Sequence, residues 1–170
     1  MSIITRSPIV TSLRIPRLSR FGWLMGLYAE NHQRLQRLFE PERLIAGSHL
    51  SIGRDGLDLQ LDVIEQHAYT IELRLAYAQL CDGETGQPDP SAFVRYYRDA
   101  QQAEVTHCYV GRQWQDVLGL HPPLPTLINH RLRMNVFFSK WLEYLGEQGH
   151  SWLTLRPITP DNMVAAVPSA

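Results

Sequence analysis

The chain has 170 residues, 44% of them hydrophobic and 19% charged, with 16 basic against 17 acidic side chains and a net charge of −1. That length suits a single domain whose core needs no metal or disulfide staple. The near balance of charge speaks against a basic nucleic-acid binder, and no run approaches the ~18–20 apolar residues of a membrane span.

The first 29 residues contain no acid and carry Arg6, Arg14, Arg17 and Arg20. Pro8 and Pro16 interrupt any amphipathic helix there. Residues 1–18 are therefore expected to be a disordered basic arm, with one domain over 19–155 and a flexible tail over 156–170.

From Arg20 to Phe39 the apolar residues recur at helical spacing: Leu24, Leu27, Tyr28, Leu35 and Leu38, with Asn31 inside the stripe. Ser19 is a natural N-cap and Pro41 closes the helix. The period then changes to two. A weaker strand over about Ser48 to Gly53 comes first. Leu57, Leu59, Leu61 and Val63 then alternate with polar residues, and so do Tyr69, Ile71, Leu73, Leu75 and Tyr77, with Gln66-His67-Ala68 between them.

Cys81 to Pro90 is rich in turn formers. Phe93 to Arg98 and Gln102 to Val110 read as a second hairpin around Asp99-Ala100-Gln101. Pro122, Pro123 and Pro125 mark a connection, and helical period returns from Thr126 to about Gln148. Its stripe runs Leu127, Met134, Asn135, Phe138, Trp141, Leu142 and Leu145, and Gly149 stops it. Trp152 to Leu155 adds an edge strand or a packing clasp. The expected fold is α+β: an N-terminal helix, an antiparallel sheet of about five strands and a C-terminal helix, both helices on one sheet face. Trp23, Tyr28, Phe138, Trp141 and Tyr144 are expected in the core, with Trp114 and Trp152 as exposed contacts. Asp58, Gln60, Asp62, Glu72 and Arg74 are expected on the outer sheet face.

Chemistry is harder to find. The chain has no P-loop, no G-x-G-x-x-G, no H-E-x-x-H and no G-x-S-x-G, so no enzyme class is indicated. His107 and Cys108 are adjacent and point to opposite faces of a strand, so no metal and no cofactor are expected. Cys81 and Cys108 are too few for a disulfide framework and read as reduced thiols of a cytoplasmic protein. The densest polar signal is Arg95, Tyr97, Arg98, Asp99 and Glu104 around one hairpin. It reads either as a lattice of cross-strand pairs, each worth roughly 0.2–1 kcal/mol, or as a small site. In the site reading an arginine holds an anion while Asp99 or Glu104 acts as base or ligand. Asn31 and Asn135 likewise read two ways: a hydrogen-bonded device that fixes helix register, or the lining of a pocket.

Three motifs carry a resemblance. The first helix reads Leu24-Met25-x-Leu27-Tyr28-x-Glu30-Asn31-x-x-x-Leu35-x-x-Leu38. The hairpin reads Tyr97-x-Asp99-Ala100-x-x-Ala103-Glu104-Val105. The last helix reads Asn135-x-x-Phe138-x-x-Trp141-Leu142-x-Tyr144-Leu145, with Gly149 beyond it. In this order, over about residues 20 to 153, the chain resembles the YqiB-like bacterial proteins, a domain of unknown function found in proteobacteria. The resemblance implies a small cytoplasmic bacterial protein and no assigned activity. The leading expectation is a non-enzymatic binding or adaptor domain with a protein partner and its oligomeric state open. The alternative is a binder of, or enzyme on, an anionic or nucleotide-like ligand at the Asp99 cluster.

Overall fold

The computed structural model describes residues 19–81, 83, 86, 89–108, 119 and 121–158. The expected arm over 1–18, Trp114 and residues 159–170 of the expected tail lie outside them. Helix α1 spans Arg20–Phe39. Gly22 N–H donates to Ser19 Oγ at 3.0 Å, which caps its start. The helix ends at Glu40, in the left-handed region at φ 45°, and a single 3-10 turn, Pro41–Arg43, follows.

Six strands come next: β1 Gly47–Ser51, β2 Leu59–Gln66, β3 Thr70–Tyr77, β4 Ser91–Tyr97, β5 Gln102–His107 and β6 Leu155–Pro157. Helix α2, Leu124–Glu147, lies between β5 and β6 in sequence. The sheet is antiparallel throughout, in the order β5-β4-β3-β2-β1-β6. The fold is α+β.

Register explains the core. Leu61 stands opposite His49 and Leu75, Leu73 opposite Val63 and Val94, and Tyr96 opposite Ile71 and Ala103. Alternation sends this whole set to one face, where it is buried. Both helices cover that face: Leu35 and Phe39 of α1 join Met134, Phe138, Leu142 and Leu145 of α2 in the same cluster. The other face carries ion pairs, Asp62 with Arg74 at 3.2 Å and Glu72 with Arg95 at 2.9 Å.

The helices run parallel. Arg20 Nη1 donates to Asn129 Oδ1 at the start, Asn31 meets Asn135 in the middle, and Leu38 packs over Gly146 at the end. At Gly146 a Cβ would stand 3.2 Å from Leu38 Cδ2, so the missing side chain lets the two helices close up.

Several expectations need correction. The sheet has a sixth strand because Leu155–Pro157 pairs with Ser51–His49 of β1. This holds Arg156 and Pro157, which the sequence suggested as tail. Trp152–Thr154 forms a turn instead of a strand: Ser151 N–H donates to Thr154 Oγ1 at 2.9 Å, and the Thr154 hydroxyl donates back to Ser151 O at 2.9 Å. Helix α2 starts at Leu124, before the expected Thr126, because Pro125 sits in its first turn, where no backbone N–H is needed. Strand β4 starts at Ser91, and β5 ends at His107, with Tyr109 and Val110 outside the described residues. Trp23 and Tyr144 are not core. They are 52% and 40% exposed, whereas Tyr28, Phe138 and Trp141 are buried. The Tyr144 hydroxyl instead donates to Asp55 Oδ2 at the surface. Trp152 is partly exposed, and both cysteines are free.

Candidate functional site

The pleat divides the hairpin cluster. Arg95 stands across from Glu104 in the ladder, but its guanidinium grips Glu72 on the other side, through Nε at 3.0 Å and Nη2 at 2.9 Å. Glu104 is held elsewhere: Tyr97 OH donates to Oε1 at 2.8 Å and Arg131 of α2 donates to Oε2 at 2.8 Å. Burial, then the Glu104 carboxylate, raises the Tyr97 phenol above its ordinary value. Asp99 lies exposed in the turn, where its Oδ1 accepts from Ala100 N–H at 2.8 Å. Tyr97 thus links Arg95 and Glu104 on one face of the hairpin, while Asp99 stays apart in the turn.

Arg98 goes the other way. It shares strand parity with Tyr96 and so faces the helices at the end of the sheet. There Tyr96 OH donates to Gln36 Oε1 at 2.7 Å and to Glu42 Oε1 at 3.2 Å, and the ring stacks on His32 with centroids 4.4 Å apart. Burial, then the Glu42 carboxylate, raises the Tyr96 phenol, while the Arg98 charge opposes this. Burial lowers His32, against Glu42. Arg98 Nε and His32 Nε2 are both buried without a hydrogen-bond partner among the described residues.

Asn31 and Asn135 meet across the helix seam, both fully buried. Asn31 Nδ2 donates to Asn135 Oδ1 at 3.3 Å, and the same Oδ1 accepts Val105 N–H of edge strand β5 at 3.1 Å. Asn135 Nδ2 donates to Arg131 O at 2.9 Å. The pair ties helix to helix and helix to sheet edge.

A further group joins residues from opposite ends of the chain. Ser51 Oγ lies 2.8 Å from His150 Nδ1 and 2.6 Å from Thr154 Oγ1. Asp55 Oδ1 and His150 Nε2 both crowd the Cα of Gly53, where a Cβ would sit 2.6 Å from each. A serine, a histidine and an aspartate in this order resemble a nucleophile with its base. Ser51 is fully buried and His150 is 1% exposed, so no substrate reaches the hydroxyl in this form. The group acts as a clasp that fastens the chain after α2 to β1. Burial pushes the Cys108 thiol up to about 11, aided by Asp89, which leaves it un-ionised and a poor nucleophile at neutral pH. Among the described residues, no three His, Cys, Asp or Glu side chains are grouped to hold a metal ion.

The feature that the periodicity did not single out is a groove between α1 and α2. It is a largely open groove of about 630 Å³, lined by Arg20, Trp23, Asn129, Leu132, Arg133, Val136 and Phe137. Phe21 and Leu124, at the starts of the two helices, are 57% and 67% exposed. Trp23 and Phe137 sit at the margins of their helices' apolar stripes, too far round to reach the sheet. That marginal position was the available signal.

No curated protein and no solved structure matches the chain. A family described as "protein of unknown function (DUF1249)" matches residues 34–151, from the last third of α1 to just past α2. The match covers well over half of the chain, and the chain belongs to this family of unknown function.

Proposed function

We propose that this protein is a non-enzymatic binding domain that engages a protein partner through the α1–α2 groove. One observation carries the reading. Trp23 and Phe137 are half-exposed on the walls of a groove whose remaining lining is Leu132, Val136, Asn129 and two arginines. Exposed aromatics beside arginine are the composition of interface anchors. The hairpin polar residues Arg95, Tyr97, Asp99 and Glu104 serve the architecture, since each is engaged by a neighbour from its own hairpin, β3 or α2. The YqiB-like motifs support a bacterial origin. Two free thiols support a cytoplasmic setting.

The test is a photo-crosslinking amino acid placed at Phe137, with a second at Thr70 on the outer sheet face as control, in cells that make the protein. A discrete adduct from Phe137 that Trp23→Ala abolishes supports the reading. No adduct from Phe137, or the same adducts from Thr70, counts against it.

A second reading has one observation behind it. The buried, unpartnered Arg98 Nε and His32 Nε2 beside Tyr96 favour a small anionic ligand at that end of the sheet. Thermal-shift screening with nucleotides and phosphometabolites tests it. A stabilisation lost in Arg98→Gln supports the ligand, and no shift with any compound removes it.

A further inference from the structure

The groove has a chemistry specific enough to define its occupant. Its floor and walls are Leu132, Val136, Trp23 and Phe137, and its rim carries Arg20 and Arg133. Arg20 bonds only the neutral Asn129 among the described residues, and Arg133 is exposed with no ion pair there. The surrounding sequence holds no carboxylate: residues 19–29 and 121–142 contain neither Asp nor Glu. Because the helices are parallel, their positive N-terminal ends lie side by side, and neither first turn contains an acid to offset them.

We infer that the groove between α1 and α2 receives an acidic amphipathic helix of a partner protein. The inference rests on the binding-domain reading and gives its partner a chemistry. A third helix laid along the groove would set apolar side chains at three- and four-residue spacing against Trp23, Leu132, Val136 and Phe137. Its flanking Glu or Asp side chains would then face Arg20 and Arg133. The groove is open along its length and about 630 Å³ in volume, which gives room for more than one anchoring side chain. The chain's own residues 1–18 do not supply this chemistry, for they carry Arg6, Arg14 and Arg17 and no acid.

The experiment uses the full chain and two labelled synthetic peptides of about 16 residues, long enough to form helix. Both carry the same leucine face. One is flanked by glutamates, the other by lysines, and binding is read by fluorescence anisotropy. The glutamate peptide is expected to bind about tenfold tighter or better, and the difference should shrink as salt rises. In the double variant Arg20→Glu, Arg133→Glu the preference should reverse. Both positions are exposed. If the double variant does not melt like the parent, Arg133→Gln alone should still reduce the preference severalfold.

Equal binding of the two peptides overturns the acidic partner and leaves the binding domain standing. If neither peptide binds while the Phe137 adduct forms in cells, the occupant has another chemistry and the inference fails. A concentration-dependent dimer, dissolved by Arg133→Glu, makes the occupant a second copy and also overturns it. So does binding of the chain to anionic vesicles with no preference between the peptides.

Discussion

Replacing Asn135 with alanine removes the acceptor of the buried Val105 N–H at 3.1 Å and one of two acceptors of Asn31 Nδ2, which loses Oδ1 at 3.3 Å but keeps the backbone oxygen of residue 135 at 3.4 Å. The carbonyl of Arg131 loses its side-chain donor but keeps its helical partner, the backbone N–H of residue 135. An orphaned buried donor costs about 1–3 kcal/mol. Val105 N–H is one such donor and Asn31 keeps only its longer bond, which puts the loss at ~2 kcal/mol, a sizeable share of the ~5–15 kcal/mol that holds a domain folded. At this chain length the melting temperature should fall by roughly 4–8 °C. Asn31→Ala is a gentler change. It leaves Asn135 bonded to Val105 and removes a side chain whose own Oδ1 is buried without a partner, so it should cost ~1 kcal/mol or less. Urea unfolding of both single variants and the double variant closes a cycle, and the coupling should be at least ~0.5 kcal/mol. Hydrogen exchange at Val105 should quicken in Asn135→Ala ahead of neighbouring β4 amides. A cost below about 1 kcal/mol for Asn135→Ala, or equal costs for the two single changes, would refute this account of the seam.

Three buried histidines make stability pH-dependent. Burial lowers His32, His130 and His150 below the ordinary 6.5, so the unfolded chain takes up their protons first. Stability should be full above about pH 6.5 and fall as pH drops below it, by at most about 1.4 kcal/mol per pH unit for each histidine. Melting temperatures that stay flat between pH 7.5 and 5.5 would contradict this. Gly53→Ala should cost about 2 kcal/mol or more, since its Cβ would meet Leu57 O at 2.8 Å as well as His150 and Asp55, and the Leu57 carbonyl is backbone. A variant that unfolds at the parent's urea midpoint would show that the clasp yields. Asp99→Ala and Arg95→Ala should each lower stability by less than ~1 kcal/mol, because both groups act at the surface. A loss above about 2 kcal/mol in either would mean that the lattice is more than a register device.

The fold was legible where a residue's partners share its periodicity. Leu24 to Leu38 and Met134 to Leu145 announce their helices, and the alternation of β2 and β3 states which side chains face inward. Strand β6 had no such mark, because three residues ending in Pro157 are too short for a period and their pairing with β1 is a tertiary event. The hairpin residues are neighbours in sequence, which suggested one site, yet a strand sends Arg95 and Tyr97 to one side and Tyr96 and Arg98 to the other. Ser51 and His150 are 99 residues apart, and no local pattern links them. Trp23 and Phe137 were visible as apolar residues at the margins of their helices' stripes. That they line a groove depends on how α1 and α2 lie against each other.

The parallel setting of α1 and α2 also constrains when the groove can exist. Parallel neighbours cannot be joined by a short turn, and here the entire five-strand meander separates them, with Asn31 and Asn135 104 residues apart. A ribosome adding ~5–20 residues per second holds α1 without its companion for roughly 5–20 seconds. During that interval the Leu24, Leu27 and Leu35 stripe has no α2 to cover it. The nascent chain therefore carries an uncovered apolar stripe through that interval. The α1–α2 groove is among the last surfaces to form, so a partner of the proposed kind would meet only the finished molecule.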